Sequence, residues 1–263
     1  IIIITSNHLR HKFFRNSVDK FINSKMVLCI EEKSEQIPKN SKKSSLQKKH
    51  FKERRHYEKK FFRKYFNCKM NTKKVLKVSK NQINYDKKIL NKIKKYKPNL
   101  ILTYGCSILK KEVIREFKNK IINIHLGLSP YYRGSGTNYW PFVKNELQFV
   151  GVTFMLIDEG IDTGPILHQC RAELYKSDNV HMVGNRLIKN LVKILEKIIN
   201  NFEKITAVKQ WKYKYEKVFK EKDFNDNSLN KLFSNYNKGI VVKYLKQKKN
   251  IDKKFPVIEN NIL

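Results

Sequence analysis

The four cysteines of this 263-residue chain, Cys29, Cys68, Cys106 and Cys170, form no Cys-x-x-Cys pair and no Cys/His cluster at zinc-ligand spacing. That argues against a metal site or a disulfide framework. No apolar run comes near the roughly 18 residues that a membrane-crossing helix needs. The opening Ile1-Ile2-Ile3-Ile4 gives way at once to Thr5-Ser6-Asn7-His8, too short for the apolar region of a secretory signal. No membrane contact is expected, and the expected compartment is the cytoplasm. Acidic residues are also scarce: 23 Asp and Glu stand against 57 Lys and Arg, a formal charge of +34. Such an excess suits nucleic acid or another polyanion. The lysines are spread along nearly the whole chain among Ile and Asn, however, so the charge reads as a compositional bias, with a non-catalytic polyanion-binding protein as the rival reading. What is present in quantity is apolar surface, 40% hydrophobic and 12% aromatic residues, enough to bury a full core.

Short apolar runs alternate with helical patterns. Residues 1–5, 27–30, 75–78, 100–103 and 121–124 read as strands, and 9–24, 86–96 and 110–117 as helices between them. This order predicts an α/β fold: a mostly parallel, twisted sheet with helices on both faces. Two further extended runs, 149–157 and 166–174, flank the turn-rich Asp158-Glu159-Gly160-Ile161-Asp162-Thr163-Gly164-Pro165. Apolar residues at helical spacing from Val180 to Ile198 predict a last helix over 180–201, closing a main domain of residues 1–206. Within it, residues 39–74 are dense in Lys and Arg against only Glu53 and Glu58, yet carry six aromatics, Phe66 among them. They read as a helical insertion that packs its aromatic side and solvates its basic side. Residues 207–263 form a small Lys-rich carboxy-terminal extension with no firm fold assignment.

Ligands of such sheets sit beyond the carboxyl ends of the strands, which directs attention to the residues after Thr5, Thr103 and Asn123. Asn123 and His125 stand two apart on an extended strand and so face the same side. An asparagine amide there can donate to a developing oxyanion, and a histidine with a carboxylate partner such as Asp162 can move protons near neutral pH. No Gly-x-Ser-x-Gly elbow is present and no cysteine has an evident base. The nucleophile then belongs to a substrate, which leaves direct acyl transfer and hydrolysis both open. His8, following the first strand, lies where an acceptor could bind. His11, His50, His56, His168 and His181 read as structural, and Tyr139 and Trp140 as core packing.

The run from Asn123-Ile124-His125 through Gly127-Leu128-Ser129-Pro130-Tyr131-Tyr132-Arg133-Gly134, then Gly151-Val152-Thr153 and residues 158–166, resembles the 10-formyltetrahydrofolate-dependent formyltransferases, with His125 and Asp162 spaced 37 residues apart as in that family. The resemblance implies a Rossmann-like catalytic domain over residues 1–206 and no metal. It implies that Asn123 stabilises the oxyanion of a tetrahedral intermediate, that His125 supports that charge and proton transfer, and that Asp162 sets the state of His125 and helps take the amine proton. It further implies that Cys106, Ser107, Ile108 and Leu109 receive the folate ring through main-chain contacts, that Gly127, Leu128, Ser129 and Pro130 form a second folate-contacting segment, and that Asp158 belongs to the donor site. Gly-Leu-Ser-Pro stands where the family usually has Ser-Leu-Leu-Pro, so the serine has moved.

Departures from the family bear on the acceptor. Methionyl-tRNA formyltransferases usually carry a carboxy-terminal β-barrel that the stretch after Thr206 is too short to form, which disfavours tRNA. Phosphoribosylglycinamide formyltransferases place a histidine where Met155 stands and a glycine-rich loop where this chain has Thr5-Ser6-Asn7-His8. The stretch Arg133-Gly134-Ser135-Gly136-Thr137-Asn138 looks more like members that modify surface sugars. The expected partner is therefore a small-molecule amine, an amino sugar or sugar nucleotide.

Overall fold

A computed structural model describes residues 1–22, 25–33, 43–65, 67–68, 70 and 75–261. Nine strands are present among them: β1 (Ile2–Ser6), β2 (Leu28–Glu32), β3 (Val75–Val78), β4 (Ile101–Tyr104), β5 (Ile121–His125), β6 (Tyr132–Gly134), β7 (Gly151–Leu156), β8 (Ile166–Arg171) and β9 (Lys217–Phe219). Seven of them make one sheet in the order β3-β2-β1-β4-β5-β7-β8. The first five are parallel, and β7 and β8 form an antiparallel hairpin on the edge of β5. The α-helices among the described residues are α1 (Leu9–Ile22), α2 (Ser45–Phe62), α3 (Lys87–Lys95), α4 (Lys111–Glu116), α5 (Trp140–Lys144), α6 (Val180–Asn200), α7 (Asp226–Asn237) and α8 (Ile240–Lys254).

Alternation along β1 divides the interior in two. Ile3 joins a core with Phe14 and Val18 of α1 and Leu187, Leu191 and Leu195 of α6. Ile2 and Ile4 point to the opposite face, where Ile89 and Ile93 of α3 and Val113 and Ile114 of α4 cover them. A strand buried on both faces must be apolar at every position, which is why β1 reads as an unbroken isoleucine run. The apolar stripe of α6 is buried as its spacing predicts, and Asn179 caps the helix by accepting from His181 N and Met182 N.

Helix α2 is the described part of the basic insertion; residues 39–42, 66, 69 and 71–74 lie outside the described residues. Ser44 caps it at Gln47 N. Phe62 is buried and stacks on Phe13 at 4.8 Å, while Lys48, Lys49, Lys52, Arg55, Lys59 and Lys60 face solvent. Phe51, Tyr57, Phe61 and Tyr65 are half-buried, and His50 and Glu58 are buried with Phe62. Helix α1 is assigned to Ile22, and the expected residues 23 and 24 lie outside the described residues. The run 149–157 is a strand only from Gly151, because the local bonds Phe149 N to Glu146 O and Val150 N to Leu147 O wind its start into a 3₁₀ turn.

Beyond residue 206 the chain is built into the same body. Val208 bridges antiparallel to Ile166, and β9 pairs in parallel with β6. Leu229 and Leu232 of α7 and Ile240, Val241 and Tyr244 of α8 bury in the core that holds Ile3 and Phe14. Each such apolar side chain is worth roughly 1.5–3 kcal/mol when buried, so the segment is held by the main core. In the sheet, the register Ile4↔Thr103 and Thr103↔Asn123 sets the carboxyl ends of β1, β4 and β5 side by side.

Candidate active site

Residues 121, 123 and 125 share one side of β5. Ile121 packs into the core under α3 and α4, whereas Asn123 and His125 lie past the end of that cover. Asn123 Oδ1 accepts from Thr103 Oγ1 at 3.1 Å, and Asn123 Nδ2 donates to Asp162 Oδ1 at 3.0 Å. A carboxylate only accepts, so the nitrogen of the amide must face it. The second N–H of that nitrogen is then available for an oxygen of a bound molecule, and Asn123 is half-buried rather than sealed.

His125 is 6% exposed. Its Nε2 donates to the Tyr132 carbonyl at 3.0 Å, which turns Nδ1 toward Asp162 Oδ2 at 3.3 Å. A carbonyl can only accept, so Nε2 carries a hydrogen, and Nδ1 is the ring atom that faces the carboxylate. This is the geometry of a proton relay. Asp162 Oδ2 also accepts from Gly134 N at 2.8 Å. The carboxylate is thus shared among a side-chain amide, an imidazole and a main-chain N–H, contributed by β5 and β6.

Three backbone features make that sharing geometrically feasible. Asp162 adopts φ +52°, the left-handed region that Asp enters more readily than bulkier residues. Gly164, two residues on, passes so close to Leu156 that a Cβ would lie 1.8 Å from its carbonyl oxygen. Asp158 secures the start of the turn, Oδ1 accepting from Gly160 N at 3.1 Å and Thr163 Oγ1 at 2.6 Å. Gly134 has φ +88° and lies against Phe219 of β9, where a Cβ would sit 2.1 Å from the carbonyl oxygen.

Residues 106–109 lie beyond the end of β4, next to β5. Glu32 accepts from both Ser107 N and Asn81 N at 2.7 Å, and Asn84 bridges Ile108 O and Lys110 N at 2.9 and 2.8 Å. Leu109 is buried, Ile108 is 72% exposed, and burial pushes the Cys106 thiol up to about 12. The loop is therefore held through its main chain, with Ile108 presented outward. Leu128, Ser129 and Pro130 are covered by protein behind His125, with Ser129 N donating to Thr153 Oγ1 and Ser129 O accepting from Gln169 Nε2. A Cβ on Gly127 would lie 2.6 Å from His125 Nε2, so this segment forms the wall against which the ring rests.

The other histidines divide by packing. His11 is buried and its Nδ1 is hydrogen-bonded to Ser6 Oγ. His168 Nδ1 accepts from Asn260 N at 3.0 Å, and His56 is exposed. His50 and His181 pack ring to ring at 4.7 Å, held by burial to about 4 and about 3. Burial, with help from Arg10 and Arg54, brings His8 down to about 4. Trp140 is buried and stacks on Phe219 at 4.3 Å. Sequence reasoning missed four groups in contact with the site: Thr103, the Tyr132 carbonyl, Gly134 N and Gln210, whose Nε2 donates to the carbonyls of Asp162 and Gly164. Thr103 was findable as the register neighbour of Asn123; the others act through backbone groups or lie outside the recognised run.

A model of the formyl transferase family matches residues 8–199. Methionyl-tRNA formyltransferase of Thermodesulfovibrio yellowstonii is 38% identical over 104 residues, 39% of this chain and 33% of that protein. The enzyme of the same name from Caldicellulosiruptor saccharolyticus is 35% identical over 120 residues, 45% of this chain and 38% of that protein. The matched stretches thus span a third to two-fifths of these relatives. Among solved structures, phosphoribosylglycinamide formyltransferase from Anaplasma phagocytophilum superposes with a TM-score of 0.57 at 17% identity, covering 84% of this chain and 97% of that one. An N-formyltransferase from Helicobacter canadensis, in complex with folinic acid and dTDP-3-aminofucose, gives 0.56 at 17% identity, covering 89% and 80%. At such identities the likeness is one of fold.

Proposed function

The chain belongs to the formyl transferase family, and on that premise we propose that it moves a formyl group from 10-formyltetrahydrofolate to the primary amine of a small acceptor, an amino sugar or sugar nucleotide. The observation that carries this reading is the single hydrogen-bonded unit of Asn123, Asp162 and His125, in which Asn123 keeps a free N–H beside a proton relay. The amine nitrogen attacks the formyl carbon, and the carbonyl oxygen becomes an oxyanion that Asn123 Nδ2 and a protonated His125 can stabilise. Asp162 takes the proton that the amine sheds as the new C–N bond forms. When the bond from the formyl carbon to N10 breaks, N10 regains a proton, leaving tetrahydrofolate and a formamide. The pinned main chain of residues 106–108 and the outward Ile108 offer the surface for the folate ring.

For the acceptor, Arg10 and Arg54 place positive charge, partly offset by Glu58, beside the neutral ring of His8 beyond β1, which suits a phosphate-bearing amine. Aminoacylated initiator tRNA is the second reading, favoured by the names of the relatives that share up to 38% identity with this chain. The test is a turnover screen with 10-formyltetrahydrofolate against amino-sugar nucleotides, glycinamide ribonucleotide and charged initiator tRNA. Tetrahydrofolate release dependent on a small amine supports the proposal, and release only with tRNA moves it to the second reading. Formate release without any amine would make the chain a hydrolase of the donor. Salt-sensitive RNA binding with no turnover at all would favour the polyanion-binding protein.

A further inference from the structure

Gln210 lies beyond residues 8–199, and nothing in its sequence surroundings marks it. Its side chain nevertheless reaches the turn that carries Asp162. Nε2 donates to Asp162 O at 2.9 Å and to Gly164 O at 2.8 Å, while Oε1 accepts from Arg133 Nη2 at 2.8 Å. Two donors on one atom and an acceptor on the other is the inventory of an amide. Glutamate would set an oxygen against two carbonyls.

The segment that carries Gln210 is anchored on both sides. Before it, Val208 and Ile166 exchange backbone bonds at 2.7 and 2.8 Å. After it, β9 lies in register with β6, Arg133 opposite Val218, and Glu216 accepts from Arg133 Nη1 at 2.8 Å. Strand β6 is the piece of backbone that touches both catalytic side chains: Tyr132 O holds His125 Nε2, and Gly134 N holds Asp162 Oδ2. The strap of residues 208–219 therefore closes a ring around the His125–Asp162 pair. Gln210 is its link to the residue at φ +52°, a conformation that persists only where neighbours over-determine it.

We propose that Gln210 is a positioning residue: by holding the Asp162 and Gly164 carbonyls it keeps the Asp162 backbone in the conformation from which one carboxylate serves both Asn123 and His125. The proposal rests on the reading of those three residues as the site of transfer. Releasing the turn would let the carboxylate drift by an ångström or so, enough to lower turnover about 100-fold without touching the donor-binding loop.

Gln210→Met preserves side-chain length and removes the bonds to Asp162, Gly164 and Arg133. Gln210→Glu keeps a partner for Arg133 but loses both donors to the turn. Lys209→Met, on the neighbouring residue, is the control. With the full chain, kcat is expected to fall about 10- to 100-fold in both Gln210 variants, with KM for the donor within about twofold of the starting value. The ¹⁵N resonances of the His125 ring, assigned by their loss in His125→Gln, are expected to shift in both Gln210 variants and stay in place in Lys209→Met. Wild-type kcat and an unmoved His125 signal in Gln210→Met would overturn the proposal. Restoration by Gln210→Glu would too, because anchoring Arg133 would then suffice. A drop in kcat that merely tracks the unfolded fraction would reduce Gln210 to a structural residue. If the unsubstituted protein transfers no formyl group to any amine, the functional reading fails, while the His125 spectrum still decides whether Gln210 positions the pair.

Discussion

The edge formed by β5 and the turn 158–165 and the strap of residues 208–219 converge on the same His125–Asp162 pair by different means. The edge delivers side chains with the required chemistry: an amide at 3.0 Å and an imidazole at 3.3 Å from one carboxylate. The strap supplies one side-chain amide and a strand whose pairing fixes the Tyr132 carbonyl and Gly134 N–H. Proton transfer and charge stabilisation need particular functional groups, so the edge tolerates few residue types. Holding those groups in place needs main-chain donors and acceptors, which almost every residue has, so the strap can be built from ordinary sequence.

The largest expected effect breaks the edge alone. Asn123→Ala removes the free N–H and is expected to lower kcat about 100- to 1000-fold, with the melting temperature little changed; turnover within about threefold of the starting protein would remove Asn123 from the mechanism. Next comes the joint between the two regions. Gly134→Ala forces a Cβ to within 2.1 Å of the Phe219 carbonyl at φ +88°, so β6 and β9 must separate. It is expected to lower kcat about tenfold or more and to lower the melting temperature too, whereas the Gln210 variants should affect mainly turnover. Equal stability and activity to wild type would show that the two strands do not act together.

A smaller effect uses histidine to set the edge against the helices that pack outside both regions. His125 faces a carboxylate, whereas His50 and His181 are held by burial to about 4 and about 3. Between pH 6.5 and about 4 these two rings take up protons more readily in the unfolded chain than in the folded one. The stability they support is therefore fully present above pH 6.5 and is lost as pH falls toward 4. The melting temperature should drop by several degrees over that window, and the drop should shrink in His50→Phe. An unchanged pH dependence in that variant would contradict the assignment of His50 as a buried neutral ring.

The Asn123–His125 pair was legible because a strand alternates faces and because its residue types are chemically scarce. Asp162 was legible as a carboxylate at family spacing, but its left-handed backbone was not. The two segments expected at the donor are placed differently: residues 106–109 follow β4, while Leu128, Ser129 and Pro130 are covered behind His125, a placement that depends on the β7–β8 hairpin packing over them. Residues 207–263 offered only lysines, asparagines and scattered aromatics. Their helices depend on a core contributed by α1, α5 and α6.

By itself the sequence determined what is local and periodic: the isoleucine strands, the amphipathic α2 and α6, and the order of residues that can carry acyl-transfer chemistry. Those features follow from hydrophobic spacing and from functional groups that cannot be replaced. Only the tertiary structure decided that Gln210 reaches Asp162 across 48 residues and that Phe219 lies against Gly134. Such contacts run through backbone groups common to all residues, and the chain reveals them only once distant segments are packed together.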